Sequence, residues 1–379
     1  MTTFIEINRK DHAQARIVHG TSPELAAGQA RMAIQKFGFS TNNISYVQFG
    51  DMMSYWDFFP AEDGWGRVPV WGFAEVIESK AQGFSEGQRF FGYWPMGDEL
   101  IVEPTRIDDR GFTDGSAHRS HLAKAYNWYY NVNMFSRTGD LYDTQQMLLY
   151  PLFYTGFMMD DYFFDNNDFG ATQVVFSSAS SKTAISTAFL CHNRGLHTVG
   201  LTSAGNVEFT KSLGMYDEVF SYEEIDKISL APSNYCDFSG NRHITFEVHE
   251  RLNENLKYSM MCGGTQFNES VAGIRASDSA KSAQDSSSLD IAKGSLKGPK
   301  PEFLFAPTQI AKRTTEWGRE GLHDRVDEKW LLFIDNALDW MKLEDFNDEA
   351  SILKLYDDVY GGKIDPKAGY VCRMGTNHG

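Results

Sequence analysis

Residues 177–183 read Ser-Ser-Ala-Ser-Ser-Lys-Thr, directly after the apolar run TQVVF and directly before AISTAFLC. Hydroxyls, one ammonium group and the start of a helix meet there within a single turn of chain. That donor set suits a phosphate. A helix N-terminus offers unpaired N–H groups and the positive end of its dipole, and Lys182 adds a full charge. A strand, a tight turn and a helix in this order are also where a dinucleotide-binding fold keeps its glycine-rich loop. Serine and threonine are equally ordinary N-caps, so the turn alone leaves a structural cap and a phosphate site both open.

The following strand, HTVGLTS, ends in Leu201, Thr202 and Ser203 without an acid. A carboxylate at that place bonds the ribose 2′-hydroxyl of NAD. Without one, a 2′-phosphate meets no repulsion and can take bonds from Thr202, Ser203 and Asn206. NADP(H) is therefore expected in preference to NAD(H). Lys211 lies a turn further on and reads equally as a solubilising helix residue, with Glu208 facing solvent. In MCGGT, at the end of a later strand, Gly263 and Gly264 would let the backbone approach a nicotinamide, and a simple strand-ending turn explains them as well.

A second concentration of chemistry precedes residue 140. Tyr46 and Tyr55 carry phenols, which with a pKa near ~10 donate a proton while neutral or polarise a carbonyl, and Asp51 is placed to orient either. Trp56, Phe59 and Tyr93, with Phe58, Trp65, Trp71 and the run YNWYYNVNMF, offer walls for an apolar cleft. They also read as plain core.

The 379 residues allow two domains. A hydrophobic share of 42% and a charged share of 23% describe a globular chain. The net charge of −16 excludes a phosphate-tracking basic surface, so no nucleic-acid partner is expected. No uncharged run approaches bilayer length and the N-terminus has no apolar leader core, so no membrane partner is expected and a cytoplasmic location is. Cys191, Cys236, Cys262 and Cys372 lie far apart with no CxxC pair, against a disulfide framework or a four-cysteine zinc site.

NNISYVQFG, VPVWGFAEVIES, SKAQGFSEGQRFFGYWP and DELIVEP read as short strands without helices between them, a barrel-like module. QQMLLYPLFYTGFMMDDYFF then has helical spacing, and strands alternate with helices from TQVVFSSA to LKYSMMCGG, as in a parallel sheet built from βαβ units. Residues 277–301, rich in Ser, Ala and Lys, read as a long loop. PTQIAKRTTEWGREGLHDRVDEKWLLFIDNALDWM reads as two helices, the second expected to return to the barrel module.

On these residues the chain resembles the medium-chain dehydrogenase/reductase superfamily, in its zinc-free quinone- and enoyl-reductase branch. NNISYVQFGDMMSYWDFFPAEDGWGRVPVWGFAEV resembles the DUF2855 family, of unassigned function, which sits beside those enzymes. The resemblance implies an α/β protein with a GroES-like β-barrel domain, residues 1–145 with part of 310–379, and a Rossmann-type doubly wound domain, residues 146–309. Aligned with the superfamily's glycine turn, Ser177, Ser180 and Thr183 stand at glycine positions, with Ser181 and Lys182 between them. The resemblance places Asn43 at an Asn that contacts nicotinamide or substrate, with Tyr46 close by, and Tyr55 near the proton-donating Tyr of enoyl reductases. Zinc-dependent members carry a Gly-His-Glu run where PVWGFAE has Val70 and Trp71, so no metal is expected. The implied activity is zinc-independent, NADPH-dependent reduction of a small apolar carbonyl, enoyl or quinone-type substrate, with a homodimer as a reasonable assembly. A non-catalytic NADP(H)-binding sensor, or an apolar-ligand-binding protein with a decayed cofactor site, stays open beside it.

Overall fold

The computed structural model describes residues 1–262, 296–304 and 306–374. Two compact units divide the chain, one of Met1–Pro151 with Met341–Gly379 and one of Leu152–Trp340. The boundaries differ from those expected from sequence, because residues 306–340 stay with the second unit.

The first unit holds β1 (Thr2–Asn8), β2 (Ala15–Gly20), β3 (Ala30–Phe39), β4 (Trp65–Arg67), β5 (Pro69–Ser79), β6 (Arg89–Pro95), β7 (Glu99–Val102), β8 (Pro104–Asp108), β9 (Gly111–Asp114) and β10 (Trp128–Asn131). The second holds β11 (Gln173–Phe176), β12 (His197–Thr202), β13 (Glu218–Ser221), β14 (Ser233–Asp237), β15 (Leu256–Met261) and β16 (Glu302–Phe303), after which β17 (Lys342–Phe346) and β18 (Ala368–Cys372) return to the first. The helices are α1 (Thr41–Gln48), α2 (Asp140–Asp165), α3 (Lys182–Asn193), α4 (Val207–Ser212), α5 (Arg242–Leu252), α6 (Ala306–Trp340) and α7 (Glu349–Tyr360).

In the first unit a sheet runs β17-β18-β3-β5-β6-β10-β9-β8, with β7 also paired to β3, beside a smaller β2-β1-β4 sheet. Alternating residues such as Met32, Ile34, Val70, Phe90 and Trp94 turn inward, and α7 adds Ile352, Leu355 and Tyr356 to the same core. The second unit is a parallel sheet in the order β13-β12-β11-β14-β15-β16. The order reverses beside β11, which is where such sheets bind ligands beyond their carboxyl ends.

NNISYVQFG, expected as a strand, is the helix α1. The Asn43 side chain accepts the Ser40 N–H at 2.8 Å while the Ser40 hydroxyl accepts the Asn42 N–H at 3.3 Å, a capping box. Ile44 and Val47 then bury at helical rather than alternating spacing, so the cap outweighs β propensity. Similarly, YDEVFSYEEI keeps strand geometry only to Ser221, where a Ser221–Glu224 capping box starts a 3-10 turn. The two helices expected after residue 306 form α6, broken at Gly318 by a left-handed φ of 72°. The segment beyond the break is grouped with the second unit. Its Trp330 and Phe333 pack on Phe153 at 5.4 and 5.1 Å, and Phe333 also meets Phe189 at 5.3 Å.

α5 carries a fully buried histidine. His249 Nδ1 lies 2.7 Å from the Lys297 carbonyl and Nε2 2.9 Å from the Ser259 hydroxyl. A carbonyl only accepts, so Nδ1 carries the proton and Nε2 accepts from Ser259. Burial lowers the pKa of His249 from its ordinary 6.5. The unfolded chain therefore binds the proton better than the folded protein, and stability, full above pH 6.5, falls as the pH drops through that value. Urea midpoints between about pH 7 and pH 5 are expected to fall more steeply in the wild type than in His249→Asn.

Candidate functional site

The serine turn of the second unit joins β11 to α3. Ser177 is fully buried. Its hydroxyl donates to Asp237 Oδ1 at 2.7 Å and accepts the N–H groups of Phe238 and Ser239 at 2.9 and 3.1 Å. It thus ties the end of β11 to the turn beyond β14, across the point where the sheet order reverses. Asp237 accepts further bonds from the Ser239 N–H and hydroxyl, the Gly240 N–H and the Thr245 hydroxyl. Sequence reasoning missed Asp237. Its signal is the run Asp-Phe-Ser-Gly at a strand end.

Ser178 takes the left-handed conformation with φ 51°, so the backbone freedom that a glycine turn provides is needed there rather than at 177, 180 or 183. Its N–H donates to the Tyr222 hydroxyl at 3.0 Å. Ala179 donates to the Leu201 carbonyl at 3.0 Å and accepts from the Tyr216 hydroxyl at 2.9 Å. That close approach requires Gly200, where an added Cβ would lie 2.9 Å from the Ala179 Cβ. The Ser181 N–H closes the turn onto the Ser178 carbonyl at 2.8 Å, and its hydroxyl accepts from the Ala184 N–H as the N-cap of α3.

Ser180, Thr202 and Asn206, named separately from the sequence, come together. The Ser180 oxygen accepts from the Thr202 hydroxyl at 3.3 Å and from the Asn206 amide at 3.2 Å. A hydroxyl has two lone pairs and one proton, so with both lone pairs filled Ser180 presents only its proton. Lys182 and Thr183 open α3 beside it, both half-buried. Ser203 is exposed at the end of β12. No acid stands at that end: the exposed Glu208 pairs with Lys211 at 3.2 Å. Gly263 and Gly264 lie outside the described residues, as does most of the 277–301 stretch.

The first unit gathers a different set. Tyr46, Phe58, Phe59 and Tyr93 form a buried cluster with Leu122, lined at its edge by the half-buried Tyr55, Trp71 and Tyr126. Tyr93 stacks on Tyr126 at 4.8 Å and meets Tyr46 edge-on at 5.6 Å, and Tyr46 meets Tyr55 at 4.7 Å. The Tyr46 hydroxyl accepts from the Trp71 indole N–H at 3.4 Å. Burial, then the neighbouring phenols, hold the hydroxyls of Tyr46, Tyr55, Tyr93 and Tyr126 well above their ordinary pKa, so all four are neutral donors at pH 7.

Arg119 braces this cluster. Its guanidinium bonds Asp114 at 2.8 Å, the Tyr129 hydroxyl at 2.8 Å, Asn127 at 2.9 Å and the Tyr126 carbonyl at 3.0 Å. It also lies over the rings of Phe58 and Phe59 at 5.3 and 5.2 Å. No sequence motif marks it.

Two residues named from sequence stand apart from the phenols. Asn43 is spent on the α1 cap and on the Pro69 carbonyl, to which its amide donates at 3.0 Å. Trp56 belongs to the main core, wedged where Gly50 and Gly66 leave room. A Cβ at either would lie 2.0 and 2.3 Å from its indole. Among the described residues no group of three His, Cys, Asp or Glu side chains comes together to hold a metal, and no helix is long and apolar enough to cross a membrane.

The family described as "Protein of unknown function (DUF2855)" matches residues 37–365. The chain belongs to the DUF2855 family. No curated protein sequence matches this DUF2855 chain. Among solved structures it resembles CurA from Vibrio vulnificus in complex with NADPH, at 13% identity over 96% of this chain and 94% of that one, with a TM-score of 0.57. A mutant form of enoyl thioester reductase from Candida tropicalis superposes with a TM-score of 0.56 at 11% identity, over 98% and 99% of the two chains. The yhdH oxidoreductase from Salmonella enterica in complex with NADP gives 0.51 at 12% identity, over 99% and 100%. Identities this low establish the fold. It is the medium-chain dehydrogenase/reductase fold, with a GroES-like and a Rossmann-type unit.

Proposed function

We propose that this DUF2855 protein is a zinc-independent, NADPH-dependent reductase of an apolar carbonyl, enoyl or quinone-type compound. The observation that carries the reading is Ser180. At the N-terminus of α3, with both lone pairs filled by Thr202 and Asn206, it is a donor built to face an acceptor. Similarity in fold to proteins solved with NADPH or NADP supports it. Ser180, Lys182 and Thr183 would hold the pyrophosphate, with Ser177 and Ser181 fixing the turn. Ser203 and the second amide hydrogen of Asn206 would meet the 2′-phosphate, where no carboxylate opposes it, while Thr202, whose one proton goes to Ser180, holds that hydroxyl in place. The bound nicotinamide supplies a hydride. Tyr55, half-buried, and Tyr46, behind it, remain neutral and hold a proton on the phenol oxygen for donation to a carbonyl or enol.

Titration of NADPH against tryptophan fluorescence, followed by an NADPH-oxidation screen over enals, enones, aldehydes and quinones, tests the reading. Lys182→Ala is expected to weaken NADPH about tenfold, the scale of one charge-assisted phosphate bond. Unchanged affinity removes the lysine from the site. One observation favours a second reading, a sensor or a decayed site: the Ser178 N–H is already committed to Tyr222. Saturable NADPH binding with no oxidation of any screened compound selects the sensor, and no binding selects the decayed site.

A further inference from the structure

α6 carries a leucine that its own unit does not bury. Beyond the break at Gly318, Leu322, Val326, Trp330, Phe333 and Ala337 form one buried stripe of the helix. Leu332 lies on the opposite face and is 56% exposed. Single exposed leucines are common and by themselves mark nothing. The charges along the same face distinguish this one. With about 3.6 residues per turn, Arg325, Lys329, Asp335 and Asp339 fall within about 60° of Leu332 around the helix axis. All four are exposed. Arg325 stands seven residues before Leu332 and Asp339 seven after it, while Lys329 stands three before and Asp335 three after. The spacing is symmetrical about the leucine and the sign of the charge inverts across it.

We propose that this face of α6 binds the same face of a second copy of the chain, antiparallel, with the two-fold axis at Leu332. A two-fold interface presents one patch to itself, so the patch must be its own complement. An axis at Leu332 sets leucine on leucine, Arg325 on Asp339 of the second copy, and Lys329 on Asp335 of the second copy. Each ion pair then occurs twice. A parallel pairing would join the leucines but set every charge on its own like, so the charges choose the direction. A slip of one turn either way keeps one kind of ion pair and moves Leu332 onto Asn336 or Glu328, so the leucine chooses the register. Bonds within the chain leave the face available. Lys329 pairs with its neighbour Glu328 at 2.8 Å, an exposed pair that exchanges at little cost. Arg325 gives one N–H to the Gly321 carbonyl at 2.8 Å and lies over the Trp317 ring at 4.7 Å, which steadies a guanidinium with further donors to give. The surface is a helix face, distinct from the sheet edge at β16, and it does not depend on the reductase reading.

Sedimentation velocity of the full-length protein tests the surface. The wild type is expected to gain one association step with rising concentration at low salt and to lose it at high salt, because exposed charges are screened. Arg325→Glu with Lys329→Glu makes the face wholly acidic, and Asp335→Lys with Asp339→Lys makes it wholly basic. Each double variant alone should keep the far-UV circular dichroism of the wild type and associate at least about tenfold more weakly. Mixed in equal amounts, the two should regain the step, which variants that had merely lost their fold could not do. Leu332→Cys reads the register. Oxidised with copper–phenanthroline at low salt, and with the wild type as background, it should form a covalent dimer at least about tenfold faster than Leu338→Cys, which lies outside this face. A wild type without the association step, double variants that assemble as the wild type does, a mixture that stays apart, or equal cross-linking of the two cysteine variants overturns the interface.

Discussion

Arg119→Ala is expected to lose about 3–5 kcal/mol of stability, the cost of leaving a buried carboxylate without its partner. Both Arg119 and Asp114 expose only 1% of their side chains, so water cannot step in as the replacement. The damage should be directional. Arg119 holds the Tyr126 carbonyl from one side and carries the Phe58 and Phe59 rings on the other, so the phenol cluster loses its backing before the sheet does. Near-UV circular dichroism, which reports tyrosine and tryptophan packing, should therefore fall at lower urea than the far-UV signal. Arg119→Lys should recover little, because a lysine is a point charge without the planar fork that reaches several acceptors at once. A loss below about 1 kcal/mol in Arg119→Ala would mean the pair contributes no more than a surface ion pair.

Asp237→Ala is expected to be comparably severe, about 3–5 kcal/mol, because it strands several buried donors together. Ser177, Ser239 and Thr245 lose their acceptor, and the Gly240 N–H goes with them. Asp237→Asn is the informative contrast. Its amide oxygen can replace Oδ1 for Ser177, Ser239 and Gly240, while the Thr245 hydroxyl can rotate to accept from the new NH2, so its loss should be nearer ~1 kcal/mol. In the alanine variant the serine turn is untied from β14, and NADPH affinity should fall beyond the tenfold change expected for Lys182→Ala. Thermal unfolding and NADPH titration of the two Asp237 variants measure both effects. Equal stability of the alanine and asparagine variants would show that the hydrogen-bond network is not what holds the turn.

The alternation of strands and helices after residue 170 was legible because each element carried its own punctuation: Gly195 past α3, and buried β-branched runs for β11 and β12. α1 reads as a strand because Ile44, Tyr46 and Val47 are strong strand formers. The cap that decides its structure lies in two polar residues, Ser40 and Asn43, whose chemistry also serves turns. At the candidate sites, sequence reasoning could name phenols and hydroxyls but not which ones meet. Ser180, Thr202 and Asn206 converge because β11 and β12 are parallel neighbours, a relation of register rather than of spacing. Trp56 and Asn43 were separated from the phenols by the directions in which their side chains leave the backbone, which no pattern along the chain encodes. Ser177 illustrates the converse. It was read as a replacement for a ligand-facing glycine, and it is a buried tie between two strands.

The pairing of β18 with β3, Tyr370 opposite Phe39, bears on how the protein is made. During synthesis β3 leaves the ribosome early and β7 soon covers its Ala30–Ala33 stretch, but the neighbour of Phe37–Phe39 is translated only after the whole of Leu152–Trp340 has followed. The parallel sheet of the second unit can assemble while the first still shows an open strand edge. Contacts so far apart in sequence slow folding, and an uncovered edge invites pairing with other nascent chains. Chaperone dependence and aggregation during expression should therefore concentrate in the N-terminal unit, and shortening the interval between β3 and β18 by circular permutation should relieve both.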